Sequence, residues 1–463
     1  MNKLKVTRVI RDKYGKIIAY DTTANGVSRR FTSKELKDLV RSKNLQISNY
    51  KITKDNRLIP VQSREQQIGC TRDAREYFKS IGLENIIDLI PVQSREQSTG
   101  YLLMNKDRKV LDISDNFVAG EQYGRTPYGF KDIKEWISRR KQISCAGDAK
   151  EFFKSIGIEN VKDLIEVTHC VSLNDSFWIK RANSELKWKD VSPYRRDYSE
   201  VVSRYALEGE MPGISENEYF SPVIGTEGTF PHTWKFNGGE IIFIKAGSKY
   251  TLGGSNSGRE PYSEYYASKV AEFLGFEHVE YKIRQHKRKD GRIDVVTECK
   301  CYCSEEIGSV AAHNLGIDSY EKAIEYCKSI SGKAYKQILN MLFLDCLLLN
   351  TDRHFGNIEF MVNNSSLKVI DLAPIFDNNY ALLPRFMEGY DTLDLDEYRA
   401  RDKSRFEDLY NMICRHRKYT RELIKLKKFR LDKPRRVPIS ETRLKFLNDF
   451  LQSRVDYLIK LSE

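Results

Sequence analysis

From Met341 to Val362 the chain reads MLFLDCLLLNTDRHFGNIEFMV, and few folds accommodate that run. Its first nine residues are apolar on every side of a helix except at Asp345, and the helical pattern begins upstream at Lys333. A helix that is apolar all round belongs inside a folded body, and nine such residues fall well short of the ~20 that cross a bilayer. The chain must therefore leave a buried helix end, turn through the polar NTDRHFGN, and re-enter as a short strand. Asp352 and Asn357 stand five residues apart on that turn. Beyond Asn357, the strand-like LKVIDLAPIFDNN delivers Asp371 and then, twenty residues after Asn357, Asp377.

The residues ahead of this stretch alternate between strand and helix signals. GGEIIFIKAG reads as a turn and a buried strand, Glu240 to Ala246, with Lys245 near its end. A Gly/Ser-rich loop follows, GSKYTLGGSNSGREP. Then comes a helix, PYSEYYASKVAEFLGF, with apolar positions at helical spacing and Gly275 to close it. VEYKI and DVVTECKCYC read as strands around a turn at Lys289-Asp290-Gly291. Helices are predicted over 319–329 and 333–349. A sheet-rich part followed by a helix-rich part predicts a two-lobed α+β arrangement.

The amino-terminal part is repetitive. DAREYFKSIGLENIIDLI (Asp73 to Ile90) recurs as DAKEFFKSIGIENVKDLI (Asp148 to Ile165), and PVQSREQ occurs at Pro60 and again at Pro91. In each long copy an aspartate can cap a short helix that Gly82 or Gly157 then stops. Two small α+β modules are expected over 1–170, serving recognition or regulation, and a linker over 171–218. Nothing in 1–170 assembles a catalytic set, and His169 beside Cys170 reads as structural.

Composition excludes several classes. With 40% hydrophobic and 31% charged residues, this is not a disordered or fibrous chain. Nine cysteines, an odd number in 463 residues, do not form a disulfide framework. With MNKLKVTRVIRDKYG lacking a signal-peptide core, a cytoplasmic location is expected, with no membrane. Of the net charge of +12, the segment Arg415 to Arg436 carries eleven Lys/Arg against Glu422 and Asp432. That segment is either a phosphate-contacting patch, for nucleic acid or an acidic partner, or the solvated face of a helix. In the second case Tyr419, Leu423, Leu426 and Phe429 are its buried side.

The loop and the later strand together hold what a phosphoryl-transfer enzyme needs. These are a carboxylate to accept the proton of the attacking hydroxyl, and an amide oxygen with a second carboxylate for Mg²⁺. A lysine on an upstream strand, steadied by a helix carboxylate, would meet the nucleotide phosphates. NTDRHFGN, APIFDNN, IIFIKAG and YSEYYASKVAEFLGF, in that combination, resemble the HipA-like branch of the protein-kinase-like fold over residues 215–460. Residues 1–200 do not resemble that family's usual amino-terminal region, so its toxin–antitoxin role is not carried over.

The resemblance implies an ATP- and Mg²⁺-dependent kinase acting on serine or threonine of a protein. Its N-lobe would span 219–310 and its C-lobe 311–463. It implies Asp352 as catalytic base, Asn357 and Asp377 as Mg²⁺ ligands, and Lys245 with its partner Glu264 at the ATP phosphates. GTEGTF, with Gly225, Thr226, Gly228 and Thr229, fits the phosphate-covering loop, and VTECKCYCSEE fits the hinge that meets adenine. It further implies self-phosphorylation near that loop, for which Ser221, Thr226 and Thr229 are candidates.

Two positions depart from the family pattern. Pro231-His232 stands where a lysine is common, with Lys235 the substitute on offer, and Asn379 stands where glycine is common. Asp352 and Asn357 taken alone are also ordinary turn formers. Asp371 is a second metal ligand or, better, a strand-end carboxylate. His354 reads as structural, and Cys299, Cys301 and Cys303 as buried side chains on one strand face. The competing functions are a kinase for a lipid or small molecule, and a nucleotide-binding scaffold whose repeats and basic segment recognise a partner.

Overall fold

The computed structural model describes the backbone of residues 3–11, 17–24, 27–32, 46–47, 50–52 and 58–60. With side chains it describes residues 100–143, 148–209, 219–226, 228–248, 258–389 and 391–463. The chain divides into two compact units, Met1–Glu96 and Gln97–Glu463. In the first, β1 (Lys3–Arg11), β2 (Ile17–Ala24), β3 (Val27–Thr32) and β4 (Gln46–Ile47) form a sheet in the order β3-β2-β1-β4. Only the β1–β4 pairing is parallel. β5 (Tyr50–Ile52) and β6 (Leu58–Pro60) form a separate antiparallel pair. The first long repeat copy, 73–90, lies outside the described residues.

The second unit begins with an antiparallel sheet, β10-β7-β8-β9, of β7 (Gly100–Asn105), β8 (Arg108–Ser114), β9 (Ala119–Gln122) and β10 (Phe177–Arg181). Three short helices join β9 to β10: α1 (Ile133–Arg139), α2 (Ala149–Ser155) and α3 (Val161–Thr168). The last two are the second repeat copy. As the sequence suggests, Asp148 caps α2, accepting the Glu151 N–H at 2.9 Å, and Gly157 follows at φ 79°.

Helices of seven and eight residues cannot bury an apolar face alone. Phe152, Phe153, Leu164 and Ile165 do so by sharing one core with Val202, Tyr205, Val223, Ile224 and Leu367. The boundary expected near residue 170 therefore lies at Glu96/Gln97. Nor is 171–218 simply a linker, since it contains β10, α4 (Trp188–Val191) and α5 (Glu200–Glu208). The polar composition of that stretch concealed Trp178, Trp188 and Val202, which are all buried.

Next comes a second antiparallel sheet, β11-β12-β14-β13, of β11 (His232–Asn237), β12 (Glu240–Ala246), β13 (Lys282–Lys287) and β14 (Ile293–Lys300). α6 (Glu260–Leu274) runs between β12 and β13 and ends on Gly275 at φ 68°. A third sheet, β15-β16-β17, pairs β15 (Ile307–Ala311), β16 (Glu359–Asn363) and β17 (Lys368–Leu372). The remainder is helical: α7 (Tyr320–Ile330), α8 (Gly332–Leu348), α9 (Phe406–Cys414), α10 (Thr420–Leu426) and α11 (Glu441–Ser462).

α8 is the axis of the largest core, with every residue from Gln337 to Leu348 buried. Of the basic segment, Tyr419, Leu423 and Leu426 are buried and Phe429 is partly buried in that core, as the helix-face alternative requires. Among the described residues no helix is long and apolar enough to cross a membrane.

Within this second unit, hydrogen bonds tie the region of the β10-β7-β8-β9 sheet to that of the β15-β16-β17 sheet. The Ser309 N–H donates to the Asn174 carbonyl at 2.7 Å, and Asn105 Nδ2 donates to the Asn364 carbonyl at 3.2 Å. A Cβ at Gly308 would stand 2.2 Å from that same Asn174 carbonyl oxygen. Gly308→Ala is therefore expected to destabilise the unit by about 1–3 kcal/mol, as overpacking does when backbone must move. A chemical-denaturation midpoint close to that of the unchanged chain would show that the two segments separate freely.

Candidate active site

Strand alternation decides which way Lys245 faces. On β12 the set Ile242, Ile244 and Ala246 turns to one side, where Ile244 and Ala246 pack with Leu207 of α5 and Val296 of β14. Phe243 and Lys245 take the other side. There Phe243 packs against a small core of Val279, Tyr281 and Cys299, with Phe376 beside it. Phe376 directly precedes Asp377, and Ile375 is fastened by paired backbone bonds to Glu277 and Val279, just after α6. The late motif is thereby delivered to the face that carries Lys245.

The result is one ammonium shared by two carboxylates. Lys245 Nζ lies 2.9 Å from Glu264 Oε1 on α6 and 2.5 Å from Asp377 Oδ1. Glu264 is about 1% exposed, and its other oxygen accepts the Asn378 N–H at 3.1 Å. Burial works against the charge on Lys245, but Asp377 and Glu264 outweigh it and hold the ammonium above the usual lysine range. Burial also opposes the charge on Asp377, and there Lys245 wins, with Arg353 and His354 adding to it, so Asp377 is held below its ordinary value. Glu264 goes the other way. Burial dominates over Lys245, and Asp377 adds repulsion. Asp377 takes a left-handed backbone at φ 54°, where Asp is better tolerated than most residues.

The turn after α8 is built around a residue that sequence reasoning passed over. Arg353 is buried and uses all five of its N–H groups. It reaches Asp345 Oδ2 and Oδ1 at 3.0 and 3.1 Å, the Asn357 and Phe376 carbonyls at 3.0 and 2.6 Å, and Asn378 Oδ1 at 2.7 Å. One side chain thus clamps the turn holding Asp352 and Asn357 to the motif holding Asp377. The signal for it was the lone Asp345 within an apolar helix, which needed a buried cation.

On that turn the Asn357 amide nitrogen donates to the Asp352 carbonyl at 3.2 Å, leaving Oδ1 as the end that can face a cation. Asn357 Oδ1 and the Asp377 carboxylate are hard oxygen donors, of the kind that hold Mg²⁺ together with phosphate oxygens. The residues present fit that ion.

Asp352 lines a cavity of about 560 Å³ with Thr229, His354, Tyr380, Arg385 and Arg401, among others. Its Oδ1 is met by Arg401 Nη1 at 3.1 Å. Burial raises the Asp352 carboxyl above the ordinary aspartate value, with Asp377 adding to this and His354, Arg401 and Lys245 opposing it. His354 also supports the turn, since its Nδ1 accepts the Gly356 N–H at 3.0 Å.

The GTEGTF segment is less free than expected. The Gly225 N–H is committed to the Gln142 carbonyl at 2.5 Å, and Thr226 forms a bridge with Ile143. The Thr226 N–H goes to Val223 and its hydroxyl to Pro222. Gly225 and Thr226 therefore anchor the loop to the region after α1, and their N–H groups are not directed at an anion. Gly228 and Thr229 form its exposed half.

Among the hydroxyls proposed for self-modification, Ser221 is buried and its Oγ faces the Val223 N–H at 3.4 Å. It is no acceptor in this conformation, because the core formed by Val223 and Ile224 draws it inside. Thr226 is tied as described, and Thr229 alone of the three opens on the cavity.

Other expectations resolve by register. His232 pairs across the sheet with Lys245, whereas Lys235 alternates to the side where Thr233 meets Ser203 of α5. Lys235 therefore lies on the sheet face opposite to Lys245, away from the side on which a substitute for the lysine common at Pro231-His232 would have to stand. His232 is buried, its ring is pushed down to about 4 by burial, and it stands neutral beside the lysine. Asp371 pairs with Lys333 at 2.7 Å, an ordinary strand-end ion pair. β14 ends at Lys300, so of the three close cysteines only Cys299 lies on the strand. Asn379 Nδ2 donates to Asp377 Oδ1 at 2.8 Å, a role that glycine could not perform.

No family model matches this chain, and no curated protein sequence does. Among solved structures it is similar to CtkA, a proinflammatory kinase of Helicobacter pylori, with 18% identity and a TM-score of 0.37. That match covers 51% of this chain and 91% of the other. It is also similar to a chain of the Shewanella oneidensis toxin–antitoxin complex of HipA, HipB and operator DNA, with 13% identity and a TM-score of 0.43. There the match covers 78% of this chain and 99% of the other.

Proposed function

We propose that this chain is an ATP- and Mg²⁺-dependent kinase of HipA-like type that transfers the γ-phosphate to serine or threonine of a protein. The observation that carries the reading is Lys245 held between Glu264 and Asp377, at 2.9 and 2.5 Å, on the strand face to which the late motif is delivered. A lysine so placed neutralises nucleotide phosphates while Glu264 keeps it aimed. Asp377 and Asn357 would hold Mg²⁺, which when bound offsets the charge developing on the β- and γ-phosphate oxygens.

Asp352 stands on the cavity side and takes the proton of the acceptor hydroxyl. The acceptor oxygen forms its bond to the γ-phosphorus as the bond to the β,γ-bridging oxygen breaks, and ADP departs with that electron pair. The exposed Thr229 at the cavity rim is the hydroxyl best placed for self-modification.

The experiment is incubation of the full chain with γ-labelled ATP, with and without Mg²⁺, followed by mass spectrometry of the chain. Mg²⁺-dependent label is expected, with phosphate at Thr229 and none at Ser221. Absence of transfer to every protein, lipid and small-molecule acceptor, with ATP still bound, would favour the nucleotide-binding scaffold.

A further inference from the structure

The cavity over Asp352 has a charge pattern that the chemistry of transfer does not require. Two guanidinium groups from different segments, Arg385 and Arg401, line it together with Asp352, the one carboxylate among its described lining residues. Arg401 spends its charge on Asp352 Oδ1, and its side chain is 63% exposed against 15% for Asp352. Arg385 lies with its guanidinium 4.8 Å from the centre of the Tyr380 ring and donates to the Tyr380 hydroxyl at 2.8 Å. A neutral partner thus orients Arg385, and among the described residues no carboxylate lies within ion-pair reach of it.

An acceptor hydroxyl has to reach the same carboxylate that Arg401 occupies. An acceptor without charge must break that pair and leave two cations facing it. One that brings its own carboxylates gives Arg401 a new partner and neutralises Arg385. The rest of the wall favours a short peptide over a polynucleotide. Leu383, Pro384 and Phe386 stand in the wall beside the arginines, where a peptide side chain can pack, and two cations are fewer than the run of phosphate contacts on which polynucleotide affinity rests.

We propose that this cavity selects serine or threonine set among acidic residues of a protein, with the substrate's carboxylates engaging Arg385 and drawing Arg401 off Asp352. This rests on the kinase reading above and names the substrate class of that site.

The test uses the full chain and fluorescein-labelled peptides carrying one serine flanked by Glu, by Gln or by Lys, with a single-stranded RNA of equal length alongside. Binding is read by anisotropy and transfer from Mg²⁺-ATP by label. The Glu peptide is expected to bind about tenfold more tightly than the Gln peptide, as charge-assisted bonds in a partly closed site do. Arg385→Ala and Arg401→Ala should each bring the two peptides close to parity. Arg401→Lys should recover part of the preference, and Arg385→Glu should turn it toward the Lys peptide.

Equal binding of Glu and Lys peptides, a preference unchanged in both alanine variants, or RNA bound more tightly through the same arginines would overturn the proposal. Arginine-dependent binding of the Glu peptide without transfer leaves the site standing and removes the kinase reading. Transfer at equal kcat/KM to Glu and Gln peptides does the reverse.

Discussion

Asp352→Ala is expected to lower phosphoryl transfer by about 10²–10⁴-fold, the span that a positioned general base supplies. Mg²⁺-ATP affinity should hardly change, because the proposed function places the nucleotide at Lys245, Glu264 and Asp377, which form one ion-paired group, whereas Asp352 opens on the cavity. Stability should hold as well. The partner that Asp352 loses is the exposed Arg401, and such pairs contribute ~0–1 kcal/mol.

Asp377→Ala should differ in kind. It removes the anion that Lys245 faces at 2.5 Å, so both nucleotide affinity and turnover should fall. The pH profile gives a separate check. Burial holds the Asp352 carboxyl above its ordinary value, with Asp377 adding to this and His354, Arg401 and Lys245 opposing it. The acid limb of kcat/KM should thus begin at higher pH than for a solvated aspartate. Arg401→Ala, by removing one opposing cation, should move that limb higher still. Isothermal titration of ATP beside steady-state rates distinguishes the variants, and equal turnover of Asp352→Ala and the unchanged chain would disprove the assignment of the base.

Asp345→Ala should be the most damaging single change away from the cavity, at about 3–5 kcal/mol, because it leaves a buried guanidinium without its counter-charge. Asp345 and Arg353 are each about 1% exposed and joined by two hydrogen bonds. Burial pushes the Asp345 carboxyl up, with Arg353 pulling against it, so the pair stands only as a pair. The double change Asp345→Leu with Arg353→Met should recover much of the stability, since well-packed apolar residues often replace a buried pair without loss. It should not recover turnover. Arg353 also holds the Asn357 and Phe376 carbonyls and Asn378, so without it the base turn and the late motif lose their common clamp. Denaturation and turnover measured together decide the matter. A double variant that is both stable and fully active would reduce Arg353 to a packing residue.

Local pattern carried much of this protein. The apolar run before Asn350 had to be a buried helix, and α8 is one. The alternation in GGEIIFIKAG had to be a strand with Lys245 on a defined side, and β12 is that strand. Gly275 closes α6, and Asp148 caps α2. Each of these depends on a few neighbouring residues and on where apolar groups must go, which a linear sequence records.

What the sequence did not record is which distant groups meet. The repeat copy at 148–165 looks like part of a separate module. Its two short helices nevertheless find their missing apolar partners in Val202, Val223 and Ile224, so the boundary falls at Glu96/Gln97. Gly225 looks like a phosphate-loop glycine, yet its N–H is taken by Gln142, more than eighty residues earlier. Arg401 gives no sign in sequence that it lies on Asp352. Which hydrogen-bond donors remain unspent, and which charge answers which, depends on every partner the folded chain brings within about 3 Å. Residue type and periodicity set where Asp352, Asn357, Lys245 and Asp377 would lie along their elements, and only tertiary packing determined that Arg353 would clamp the turn to the late motif and that Asp377 would meet Lys245.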